Sequence, residues 1–288
     1  MSNLPVYHAT KIEPHNKEIL NINARLLTDF LVKFLQEECI TRREVKKAVV
    51  GLSGGVDSSV TAFLCQRAFG SDNVTAFCMP YKLSSSESLE HAKLVIDLLK
   101  IQSRTIDITS MVDGYLDENE PDASPLRIGN ICARARMIVL YDQSAKLHAL
   151  PIGTGNKTER MFGYFTWHAD DAPPINPLGD VFKSQVYMLA SYLGVPDVIM
   201  KKAPTADLIP GQTDEGDWGI TIEKADIILT YLMQGFTPQQ LVDHGFNCKD
   251  VENVYTRVAS THWKRHLPTV AMISNTAINE FYLRPVDY

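Results

Sequence analysis

The stretch Lys47-Ala-Val-Val-Gly-Leu-Ser53-Gly-Gly-Val-Asp57-Ser-Ser59 carries the most structural information in this chain. Its first half is a short apolar run that suits a buried parallel strand, where both faces are covered and no polar alternation is required. Its second half turns through two glycines and opens residues 57–69, whose apolar positions recur at helical spacing. Paired glycines let the backbone turn tightly and present its N–H groups with no Cβ in the way. The start of the following helix adds partial positive charge, so strand, turn and helix together form a cradle for an anion. The turn is not a Walker A loop, because the G-x-x-x-x-G-K-[ST] spacing and its lysine are missing. A plain glycine turn with Asp57 or Ser58 capping the helix is the simpler alternative. The S-G-G-x-D-S order between strand and helix favours a nucleotide site over it.

Working outward, the apolar spacing of Ile19, Leu20, Leu26, Leu27, Phe30, Leu31, Phe34 and Leu35 predicts an amphipathic helix over 16–38. A second strand is expected at Val74–Met79, a helix at 86–100 and a third strand at 103–108. A turn-rich stretch around Glu118–Pro125 leads into a long helix from Arg127 to Leu147, then a fourth strand at Ala149–Gly153. Strands alternating with helices predict an α/β fold, a doubly wound parallel sheet with helices on both faces. Ligands bind such sheets at the carboxyl ends of the strands, here just after Leu52 and Ile152. Residues 203–219 have many turn formers and little periodicity, so a functional lid loop is expected there. Helical spacing returns over 222–260, and the tail from His262 reads as irregular. The expected organisation is one domain: the N-terminal helix, a nucleotide-binding core at 45–200, and the lid with a helical C-terminal part at 203–288.

At 288 residues the chain can bury a full core, and 45% hydrophobic with 22% charged residues is ordinary for a globular protein. A net charge of −6 provides no global basic field for nucleic acid. The N-terminal MSNLPVYHATKIEPHNKE has no signal-peptide pattern, and no apolar run is long enough to span a bilayer. The five cysteines are scattered without a C-x-x-C pair, which argues against a disulfide framework or zinc site and for buried thiols in the cytoplasm.

The S-G-G-x-D-S segment resembles the loop of the ATP-pyrophosphatase group. That group includes NAD, GMP, asparagine and argininosuccinate synthetases and several tRNA-modifying enzymes. Three further blocks narrow the resemblance: Gly129-Asn-Ile-Cys-Ala-Arg134-Ala-Arg-Met137, Gly153-Thr-Gly-Asn-Lys-Thr-Glu159, and Lys202-Ala-Pro-Thr205 through Gln212-Thr-Asp-Glu215. With Gly163-Tyr-Phe-Thr166, Lys183-Ser-Gln-Val186 and Lys264-Arg-His-Leu-Pro268, they make the chain similar to ammonia-dependent NAD synthetases from about residue 20 to residue 268.

That resemblance implies an amide-forming ligase: a nicotinate carboxylate is activated by ATP as its adenylate, and ammonia then displaces AMP. It implies ATP contacts at Gly51, Leu52, Ser53, Gly54, Gly55, Val56, Asp57, Ser58, Thr154, Lys183 and Thr205. Asp57 and Glu159 fall on family metal positions; hard oxygen ligands from two strand ends suit Mg²⁺, which completes its shell with phosphate and water. Lys183 is implied in catalysis, since a carboxylate approaching a phosphate needs cations between the two anions. Asp170 matches an aspartate near the ammonia and is implied as its proton acceptor. On the long helix, Arg127, Asn130, Arg134 and Tyr141 share one face. The dinucleotide substrate is implied at Asn130, Arg134, Trp167, Trp263 and Lys264, while Arg127 is compatible with substrate or with a solvated face.

Trp167 stands where the family has a lysine, Pro174 where it has an aspartate and Trp263 where it has a histidine. The two tryptophans move the pocket from charge toward stacking, or pack as core residues. The expected acid is nicotinic acid adenine dinucleotide (deamido-NAD), with nicotinate mononucleotide as the alternative. A GMP synthetase-like or tRNA-modifying ligase is a rival within the group, and a non-catalytic nucleotide-binding module is a rival outside it. No segment is left to build a glutaminase. A homodimer is implied by the family, with the 16–38 helix either on a twin or on its own sheet.

Overall fold

The computed structural model describes residues 12–204, 213–266, 269–271 and 273. Four strands, β1 (Ala48–Gly51), β2 (Val74–Cys78), β3 (Gln102–Thr105) and β4 (Leu150–Ile152), form one parallel sheet in the order β3-β2-β1-β4. The chain runs outward from β1 through β2 to β3, then returns to place β4 on the other side of β1. The strand order therefore switches between β1 and β4, and a crevice opens at their carboxyl ends.

The helices are α1 (Ala24–Leu35), α2 (Val56–Phe69), α3 (Ser86–Leu99), α4 (Thr109–Asn119), α5 (Pro125–Leu147), α6 (Lys157–Phe162), α7 (Lys183–Leu193), α8 (Asp197–Lys201), α9 (Asp214–Trp218), α10 (Ile222–Met233), α11 (Pro238–Asp243) and α12 (Cys248–Thr261). Alternation along the strands sorts the core into two layers. Val50, Ala76 and Cys78 pack with Leu31, Leu35, Val60, Leu64, Val186 and Leu189 from α1, α2 and α7, while Val49 and Phe77 meet Leu140 of α5 on the opposite face. Burying a side chain such as Val49 or Phe77 stabilises the fold by about 1.5–3 kcal/mol each. A further apolar cluster joins α10, α11 and α12 to Phe162, Phe182 and Trp218.

The expected strands and the helices at 57–69, 86–100 and 127–147 are present within a few residues. The 16–38 helix is not continuous. A 3-10 turn at Lys17–Leu20 ends at Asn21, and α1 restarts from Asn23, whose side chain accepts from Leu26 N–H. Asparagine competes for backbone groups and so favours caps over helix interiors. α1 then widens into a π-turn at Gln36–Thr41. Its apolar stripe is divided: Leu31 and Leu35 are buried against the sheet layer, while Leu26 and Phe30 are exposed.

The expected loop at 203–219 contains α9, which Thr213 caps through its hydroxyl on Gly216 N–H, and Trp218 lies in the core. Residues 205–212 of that loop, with Thr205, lie outside the described residues. The tail starts with a 3-10 turn at His262–Arg265 rather than irregularly. Four cysteines are buried, as expected; Cys248, at the start of α12, is exposed. Among the described residues no helix is long and apolar enough to cross a membrane.

Candidate active site

The loop after β1 folds as the sequence suggested. Gly54 has φ +80°, and a Cβ on it would sit 2.1 Å from the Ser88 carbonyl oxygen, so only glycine fits there. Gly55 occupies the N-cap of α2 and offers no side-chain cap, so neither Asp57 nor Ser58 caps the helix. Instead the Ser58 and Ser59 hydroxyls donate to the Gly55 carbonyl at 3.1 and 2.7 Å. Ser53 Oγ receives Gly55 N–H at 3.3 Å and lies 3.1 Å from Ser58 Oγ. The amides of Val56, Asp57 and Ser58 form the first turn of α2 and have no acceptor within the helix, which is the property an anion site needs.

Across the switch point, β4 releases Gly153, whose N–H bonds the Ile175 carbonyl at 2.7 Å, and then the half-buried Thr154. Asn156 next caps α6 in a reciprocal capping box with Glu159. The Asn156 side chain also donates to Asp57 Oδ1 at 2.9 Å, tying the start of α6 to the start of α2. Lys183, the first residue of α7, is 3% exposed and reaches into the same space. Its Nζ lies 2.5 Å from Asp57 Oδ2, 3.3 Å from Glu159 Oε1 and 3.7 Å from Asp214 Oδ2. The predicted metal pair and the predicted lysine thus converge, joined by a third carboxylate.

The electrostatics of this cluster are set by burial. Burial alone would depress the Lys183 pKa, but Asp57, Glu159 and Asp214 outweigh it and hold the ammonium well above its ordinary value. Burial, with Asp57 and Asp214 nearby, raises Glu159 to about 8 despite Lys183. Burial likewise raises Asp214 to about 6. Three carboxylates face one ammonium, and Asp214 Oδ1 is buried without a hydrogen-bond partner. The excess negative charge and hard oxygen donors fit Mg²⁺. Asp57 and Glu159 would supply the one or two carboxylates this ion takes, with phosphate and water completing its shell.

The second half of the crevice is the 163–172 loop, held by the polar face of α5. Thr166 Oγ1 donates to Asn130 Oδ1 at 2.7 Å, Arg134 Nη2 to the Trp167 carbonyl at 3.2 Å and Tyr141 to the Ala172 carbonyl at 2.6 Å. Arg127, one turn earlier, pairs with Glu120 at 2.9 Å on the surface. The half-buried Trp167 stacks on His168 with centroids 4.2 Å apart and meets Trp263 edge-on at 5.2 Å. Neither tryptophan belongs to the core; Trp263 is 50% exposed. Asp170 Oδ1 accepts from Thr166 N–H at 2.8 Å. Asp170 itself is exposed at the rim, yet crowding by protein atoms raises its carboxyl to about 6. Lys264 Nζ donates to the Gly163 carbonyl at 2.5 Å and to that of Phe165. Burial lowers its pKa.

Asn156, Asp214 and Asp226 are polar residues of this region that the sequence reading passes over. An N-x-x-E capping box directly after a predicted strand signals the first. The second follows a threonine N-cap in Thr213-Asp-Glu. The third interrupts the apolar stripe Ile222, Ala225, Leu229 of α10, at a position where burial is dictated by spacing.

The NAD synthase family model matches residues 27–268. A curated NH(3)-dependent NAD(+) synthetase from Trichlorobacter lovleyi is 44% identical over 270 residues, 93% of this chain and 98% of that protein. The solved NH3-dependent NAD synthetase from Campylobacter jejuni superposes with a TM-score of 0.75 at 30% identity, covering 87% of this chain and 100% of that one. An NMN synthetase structure from Francisella tularensis gives 0.77 at 31% identity, covering 87% and 99%.

Proposed function

The chain belongs to the NAD synthase family, and from that membership we propose how its residues carry the reaction. It is an ammonia-dependent ligase that converts deamido-NAD, ATP and ammonia to NAD, AMP and pyrophosphate through an adenylated carboxylate. Deamido-NAD rather than nicotinate mononucleotide is favoured by the curated relatives, which at 42–44% identity are named NH(3)-dependent NAD(+) synthetases; the solved NAD and NMN synthetases are equally similar, at 30% and 31%.

In our reading ATP lies across the switch point, its β- and γ-phosphates on Ser53–Ser58, its remaining contacts at Gly51, Leu52, Thr154, Lys183 and Thr205. The observation that supports this most directly is the meeting of Lys183 with Asp57 and Glu159 beside the free amides of α2. Asp57 and Glu159 would hold Mg²⁺, which when bound supplies positive charge against the phosphate oxygens. Lys183, held beside Asp57 and Glu159, would set its ammonium against the negative charge that builds on the α-phosphate. Asn130 and Arg134 fix the 163–172 loop, so that Trp167, with Trp263, stacks against the nicotinate end of the substrate. Lys264 acts here by holding the Gly163 and Phe165 carbonyls, and through them that loop. Asp170, at the rim, takes a proton from the incoming ammonium; holding the reactants in line accounts for much of the rate gain.

We further infer a cytoplasmic homodimer, for which exposed Leu26 and Phe30 of α1 offer apolar surface. The purified chain, given ATP, Mg²⁺, ammonium and each acid in turn, should amidate deamido-NAD far faster than nicotinate mononucleotide. Equal rates, or a preference for the mononucleotide, would reverse the substrate assignment.

A further inference from the structure

α7 begins without a cap of its own. Its N-cap residue, Phe182, has no side-chain acceptor, yet the buried Lys183 and the half-buried Ser184 in its first turn both have amides to satisfy. Both amides are met from other elements. Lys183 N–H donates to Thr158 Oγ1 at 2.9 Å, and Ser184 N–H to Asp226 Oδ2 at 2.9 Å. Thr158 in turn donates its hydroxyl to Asp226 Oδ1 at 2.6 Å. Asp226 is fully buried, 0% exposed, in the middle of α10, and Thr158 is equally buried in α6. One carboxylate therefore grips the start of the helix that carries Lys183 and the turn that carries Glu159.

From this geometry we propose that Asp226 is a positioning residue for the reaction: it caps α7 from outside and fixes where Lys183 enters the carboxylate cluster. The inference rests on the role given to Lys183 above. Two features separate it from a purely stabilising cap. Aspartate caps helices commonly at exposed starts, whereas here the carboxylate is fully buried and is carried into a dry site at a cost. Burial raises its pKa to about 6, so the fold opposes the charge, and Thr158, Ser184 and the more distant Lys183 recover only part of it. A buried carboxylate also accepts two donors at once and leaves no lone N–H or O–H turned outward, which a protonated or amide side chain cannot do without reversing one bond.

The relay makes a specific demand on Thr158. Its hydroxyl must accept from Lys183 N–H and donate to Asp226 in the same instant. Serine satisfies both roles; valine satisfies neither.

The test is a double-mutant cycle on turnover, with folding checked by thermal melting. Asp226→Asn and Thr158→Val should each remain folded and lower kcat by about tenfold or more, with the KM for deamido-NAD changed by less than about threefold, because the loss falls on the transition state. Thr158→Ser should restore most of the wild-type rate. In a Lys183→Met background, Asp226→Asn should cost almost nothing further, since residues that act through one another are not additive. A multiplicative loss in that background, or a wild-type kcat in folded Asp226→Asn, would overturn the proposal. Near-normal turnover in Lys183→Met would instead sink the catalytic role of the lysine itself, which is a separate outcome.

Discussion

Single side chains at the switch point are constrained in ways that substitutions should expose. Gly54 is the clearest, with its positive φ and the Ser88 carbonyl in the space of a Cβ. Gly54→Ala combines a left-handed conformation costing about 1–2 kcal/mol with displacement of backbone. Turnover should fall by more than about tenfold with a raised KM for ATP, and a variant with normal ATP kinetics would show that the loop is not the phosphate cradle. Asp57→Asn and Glu159→Gln should leave the fold intact and reduce kcat by a similar or larger factor at limiting Mg²⁺. Folded variants that retain wild-type rates there would remove both from the metal site.

Asp226 gives a prediction about stability. Its folded pKa, raised from 3.8 to about 6, means the native state binds a proton more tightly than the unfolded chain. Ionisation is therefore a burden carried in full above pH 6 and relieved as pH falls from 6 toward 3.8. Asp226→Asn removes that burden, so the stability of wild type relative to the variant should rise by up to roughly 3 kcal/mol between pH 7 and pH 4. Urea unfolding at intervals across that range measures it. A difference that is flat or grows in the opposite direction would contradict the burial of the charge.

Among elements, α5 and the C-terminal turn act as two hands on the 163–172 loop. α5 holds it from one side through Asn130, Arg134 and Tyr141. The turn holds it from the other: Lys264 takes the Gly163 and Phe165 carbonyls, and Arg265 Nη1 takes that of Met161 at 2.8 Å. Met161 lies in the last turn of α6 and Gly163 and Phe165 follow it, so these carbonyls have no helical partner. Trp167→Ala removes a stacking surface from ground and transition states alike, so the KM for deamido-NAD should rise several-fold with that for ATP unchanged. Calorimetry should show little loss of melting temperature, because Trp167 lies outside the core. A large drop in melting temperature with both substrates affected in parallel would return the residue to a packing role.

At the scale of the whole molecule, the sheet, the α10–α12 cluster and the loop between α8 and α10 meet at one crevice, and each supplies part of the site. Pro204 and Asp214 are joined by a 2.9 Å backbone bond, so the two ends of that segment lie together beside Lys183. The products of the purified chain should be AMP and pyrophosphate, since the phosphate loop has no Walker lysine to drive release of a γ-phosphate alone. ADP and inorganic phosphate on an ion-exchange column would exclude the mechanism. Glutamine should fail to replace ammonium. In sedimentation equilibrium the chain should behave at twice its own mass, and a monomer at micromolar concentration would refute the dimer.

What the residues determine unaided is the part of this protein written in local patterns. The apolar run before Ser53, the glycine pair after it and the helical spacing beyond make a strand, a turn and a helix wherever they occur, because φ/ψ preference and burial period act over a few neighbours. The same patterns place Asp57 and Glu159 at two strand ends. What they leave open depends on partners far away in the chain. Asp226 lies 68 residues from Thr158, and Lys183 lies 126 from Asp57. Whether a lysine is solvated or sits 3% exposed among three carboxylates is decided by which helix packs where. The division of α1 into a buried and an exposed edge, the surface pairing of Arg127 and the turning of Lys264 onto main-chain carbonyls have the same origin. Each follows from the free energy of burying or satisfying a polar group, and that quantity exists only once the tertiary neighbours are in place.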